Sequence, residues 1–173
     1  MTLTQISRRS ALAGLAALLV LPMAARARED FIDLNWTDLI PPGKENVKQR
    51  LQGMGILPHD EMSTLRSAQP PSSGVRTDYN GKVVRLPGYM IPLGTSAAGV
   101  TDFILVPYVG ACIHVPPPPA NQLVFVTTDQ PYESSGMFEA VNVTGMFGTA
   151  ATSTQLGDIG YALSADLVEP FAR

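Results

Sequence analysis

The sequence predicts a mainly β protein: a small antiparallel barrel carrying an N-terminal helical strap. Three observations predict it. From Lys82 onward the chain breaks into five β-prone runs divided by turn residues. Helical periodicity is confined to one short piece near the N-terminus. Once an export leader is set aside, 146 residues remain, enough for one core rather than two.

The leader is residues 1–27, MTLTQISRRSALAGLAALLVLPMAARA, with the three-part layout of a secretory signal peptide. Arg8 and Arg9 precede an apolar run from Ala11 to Met23, and Ala25-Arg26-Ala27 places small residues where a signal peptidase reads. Cleavage after Ala27 is expected. The 13-residue run falls short of the roughly 20 that span a bilayer, and no later stretch comes closer. The expectation is a periplasmic protein with no membrane span in its mature chain. The stretch SRRSAL is also compatible with twin-arginine export of a folded protein.

Removing the leader leaves nine basic residues against fifteen acidic, a balance of −6. That argues against nucleic acid or an anionic membrane surface as partner. A single cysteine, Cys112, excludes an internal disulfide even in an oxidising compartment.

Residues 28–66 form the expected strap. DLNWTDLI gathers Leu34, Trp36, Leu39 and Ile40 before Pro41-Pro42-Gly43 forces a break, with Trp36 as the anchor. KENVKQRLQGMGI then spaces Val47, Leu51 and Met54 as one face of a short amphipathic helix. Residues 67–81, rich in Pro, Ser and Gly, read as a linking surface loop ending in an Asn80-Gly81 turn. Residues 82–173 are the barrel domain. Its strands are expected in KVVRLPGYMIPL, VTDFILVPYV, NQLVFVTT, FEAVNVTGMFG and IGYALSADLV. Pro107, inside the second run, demands an edge, a bulge or a kink.

The chemistry concentrates in VGACIHVPPPPANQ, residues 109–122. Residues two apart on a strand share a face, so an extended GACIHV projects Cys112 and His114 together. Pro116 to Pro119 donate no ladder hydrogen bonds and favour a stiff polyproline turn. A thiolate beside an imidazole suits zinc or copper, and His59, followed by Asp60 and Glu61, is a candidate further ligand. Two other readings stay open: Cys112 as a small buried hydrophobe beside a hydrogen-bonded His114, or Cys112 as a reactive thiol. No acid partner is spaced to orient His114 as in a triad, and no second cysteine completes a redox pair, so no catalytic machinery is expected.

GYMIPL, TDFILVPYVGACIHVPPPPANQLVFV, FEAVNVTGMF and GYALSADLVEPF together resemble a family of small exported bacterial proteins known only as a domain of unknown function. The block LVPYVGACIHVPPPPANQ is its most distinctive mark, and LNWTDLIPPG is also similar. The resemblance runs from about Val83 to Phe171. It implies a periplasmic accessory in zinc or copper homeostasis, found beside an inner-membrane ABC permease and a histidine-rich periplasmic metal-binding protein in clusters that respond to zinc shortage. It puts the family's cysteine, histidine and prolines on Cys112, His114 and Pro116 to Pro119, with Ala120 where members often carry a fifth proline. The arginine pair departs from relatives that are lipoproteins or exported unfolded. The expected fold is thus an OB-like barrel, and the expected role metal handling through Cys112 and His114. The alternative is a non-catalytic interaction module in which the proline wall docks on the permease and both residues are structural.

Overall fold

A computed structural model describes residues 30–44, 69–111 and 117–171. Six strands carry the fold: β1 (Ile32–Asp33), β2 (Lys82–Ser96), β3 (Gly99–Val106), β4 (Val124–Tyr132), β5 (Ala140–Thr154) and β6 (Gly157–Pro170). The only helical turns among the described residues are two short 3-10 turns, Trp36–Leu39 and Ala120–Gln122. The five strand runs expected from the sequence thus match β2 to β6. The amphipathic helix expected after Lys44 lies outside the described residues.

The strands pair in the order β1-β2-β3-β4-β6-β5, and β5 pairs back onto β2. Strand β2 serves three neighbours along its length, with Lys82 to Tyr89 on β5, Val84 and Arg85 also on β1, and Tyr89 to Ser96 on β3. The expectation of a purely antiparallel sheet needs correction, because β4 and β6 run parallel, as do β1 and β2. The physical reason is parity. A circuit of five strands cannot reverse direction at every step, so one pair must run parallel, and it is the pair made when β6 enters between β4 and β5.

Two apolar clusters result. The first gathers Val84, Leu86, Met90, Phe103, Leu105, Val126, Val143, Phe147, Tyr161 and Leu163, all buried. The second lies on the other face of β3 and holds Ile91, Ile104, Val106, Ala111, Leu123 and Ile159. This explains the near-continuous apolar run FILV, since Phe103 and Leu105 face one cluster while Ile104 and Val106 face the other. Pro107 needs no bulge because β3 stops at Val106, one residue before it.

The N-terminal segment closes one end of the first cluster. Leu34, Leu39 and Ile40 are buried, and the Trp36 indole N–H donates to the Pro87 carbonyl at 2.8 Å, so Trp36 is the anchor expected of it. The backbone N–H of Asn35 donates to the Asp38 carboxylate at 2.8 Å, which satisfies an amide at the start of the turn. Tyr161 ties three segments at one atom: its buried hydroxyl donates to the Leu39 carbonyl and accepts the Arg76 backbone N–H, both at 2.7 Å. The Asn80-Gly81 turn is present, with Gly81 at φ +72.

Candidate functional site

Past Pro107 the chain turns at Gly110, at φ +86, a conformation that a β-carbon would strain. Ala111 then enters the second cluster and is fully buried. Cys112, His114 and Pro116 lie outside the described residues, as does His59, so the expected convergence of these ligands is not part of the described structure. The chain is described again from Pro117. Pro118 and Pro119 are buried, and Pro119 has φ −54 and ψ 153, close to polyproline geometry. Those two prolines form an inner wall rather than an outer one.

Side-chain amides hold the residues just beyond the prolines. Asn121 is fully buried, and its Nδ2 donates to Ser73 Oγ at 3.0 Å and to the Gly74 carbonyl at 2.9 Å. Because the Gly74 carbonyl only accepts, the amide orientation is settled by chemistry. Its Oδ1 has no hydrogen-bond partner among the described residues. Gln122 Nε2 donates to the Trp36 carbonyl at 2.9 Å, which links this stretch to the N-terminal segment. From the linking loop, Gln69 Nε2 donates to the carbonyls of Pro118 and Asp158, and its Oε1 accepts the Asp158 N–H, all within 2.9 Å. Gln69, Asn121 and Gln122 therefore clamp the far end of the signature. The first sits in SAQPP and the other two close the proline run; amides next to prolines were the available signal, since prolines leave carbonyls without ladder partners.

Electrostatics at this end are mild. Burial pushes the Tyr161 hydroxyl up, against the Arg76 N–H that it accepts. Arg76 is held charged by its hydrogen bond to Asp78, an exposed pair at 2.8 Å. Among the described residues no three His, Cys, Asp or Glu side chains come together as a metal site would require.

The family model described as "Protein of unknown function (DUF3299)" matches residues 36–170. The chain belongs to the DUF3299 family. Among solved structures it is similar to a DUF3299 family protein from Pseudomonas aeruginosa PAO1, at 33% identity and TM-score 0.64, covering 83% of this chain and 98% of that one. No curated protein matches. No helix among the described residues of this DUF3299 protein is long and apolar enough to cross a membrane.

Proposed function

We propose that this DUF3299 protein is an exported, periplasmic accessory in zinc or copper homeostasis, binding the ion through Cys112 and His114. One observation carries the reading: both described flanks of the signature are fixed, Ala111 by burial and Pro118 to Gln122 by the amide clamp. A five-residue link between two anchored ends carries the thiol and the imidazole, and ligand sites favour such rigid support. His59 would complete the set. The finer description of the fold, an OB-like barrel, is supported by the pairing circuit of β2 to β6 with its one parallel step. In such barrels a strand face binds extended ligands, but here the second apolar cluster occupies the outer face of β3.

The competing interaction-module reading relies on the proline wall. Burial of Pro118 and Pro119 counts against it. Docking on a permease would then fall to the exposed surface nearby, where Val109 is 59% exposed.

Zinc titration of the reduced mature protein against a competing chromophoric chelator tests the proposal. The expected result is one equivalent bound at micromolar affinity or tighter, about the range of a three-ligand site. Binding that survives in a Cys112→Ser, His114→Ala double variant sinks it.

A further inference from the structure

The connection between β4 and β5 carries the only non-glycine residue at positive φ among the described residues, Phe138 at φ +61. A bulky side chain in the left-handed region is costly and persists only where its surroundings over-determine it. Two sets of contacts do so. Along the backbone, the Phe138 N–H donates to the Met90 carbonyl at 2.8 Å, and the Met90 N–H donates to the Glu139 carbonyl at 2.9 Å. Beside them, the Glu139 carboxylate closes the connection on itself. Oε1 accepts the Tyr132 hydroxyl at 2.7 Å, and Oε2 accepts Ser134 Oγ at 2.9 Å and the Ser135 N–H at 2.6 Å. Tyr132 is the last residue of β4, so the carboxylate joins one end of the connection to the other. The Phe138 ring packs on the second apolar cluster, and Gly136, at φ +140, offers a pivot two residues earlier.

We propose that residues 133–138 are a lid: the Glu139 carboxylate latches them shut with Phe138 over the second apolar cluster, and the strain at Phe138 opens them when the latch is lost. Burial pushes the Glu139 carboxyl up, and its hydrogen bonds from Tyr132, Ser135 and Ser134 outweigh that and hold it below its ordinary range. The latch is therefore charged at neutral pH. Opening bares apolar surface in the cluster that Ala111 joins, immediately before Cys112. The lid stands independently of metal binding.

Residue-resolved amide exchange with bis-ANS fluorescence tests it in Glu139→Gln and Tyr132→Phe. In Glu139→Gln the amides of Ser135 and Phe138 both exchange roughly tenfold faster, dye binding rises, and amides of β5 and β6 keep their rates. Tyr132→Phe shows the same pattern at roughly threefold, as fits the loss of one donor in three. Acceleration at Ser135 alone reports only a lost hydrogen bond and overturns the lid, as does uniform acceleration along the chain. Should Glu139→Gln fail to fold, the same two amides in Tyr132→Phe decide the matter.

Discussion

The two apolar clusters on either side of β3 are built differently. The first is made almost wholly from strand residues of β2 to β6, and its large members, Phe103, Phe147 and Tyr161, are essentially inaccessible. The second has a small buried centre ringed by half-buried Tyr89, Tyr108, Phe125, Phe138 and Leu156, several of them from connections rather than strands. A core closed by strands holds its shape through the hydrogen-bond ladder. A core closed by connections is only as firm as the contacts that hold those connections. The first cluster thus carries stability, while the second takes in Ala111, near the start of the signature, and the strained aromatic.

Truncation tests that contrast most severely. Phe103→Ala leaves a cavity in the first cluster and is expected to cost about 3–5 kcal/mol in urea unfolding. Phe125→Ala, half-buried in the second, is expected to cost about half as much, because solvent already reaches the ring. Equal costs would erase the distinction between the two. Tyr161→Phe comes next. It keeps the ring stacked near Phe147, at 5.1 Å between centroids, but strands the Leu39 carbonyl and the Arg76 N–H, for an expected loss of about 1–3 kcal/mol.

The smallest effects are those of pH, which read the second cluster's latch. Burial, with help from the Glu139 carboxylate, pushes the Tyr132 hydroxyl up to about 12. The unfolded chain gives up that proton first, near 10, so its contribution is whole below pH 10 and lost as pH rises through 12. Glu139 works in the opposite direction. Its folded pKa is depressed, so its contribution is present above the ordinary glutamate range and lost as pH falls through the folded value. Urea midpoints across pH should fall more steeply at both ends in the wild type than in Glu139→Gln. Parallel profiles would mean that the latch adds no stability.

Much of this architecture was legible because alternation survives wherever one face of a strand is buried, as in AVNVTGMF of β5. The order of strands was not, since inserting β6 beside β4 depends on partners such as Val126 and Leu163, distant in sequence. The far ends of β2 and β5 were also missed, because Gly94 to Ser96 and Thr149 to Thr154 are small or polar and carry no apolar rhythm. For the candidate site, the sequence pointed to Cys112, His114 and His59, which lie outside the described residues. It did not point to the clamp, whose bonds from Gln69 span 49 and 89 positions.

Gln69 has a wider meaning. Its amide meets both the N–H and the carbonyl of Asp158, as a peptide group in an adjoining strand would, while its second N–H reaches Pro118. One side chain thus counterfeits a strand one residue long and splices the proline run to the sheet. The signature is consequently discontinuous. Transplanting residues 109–122 alone into another scaffold would leave the Pro118 carbonyl without its splice, and relatives are better compared by residues 69, 73 and 109–122 read together than by the proline run.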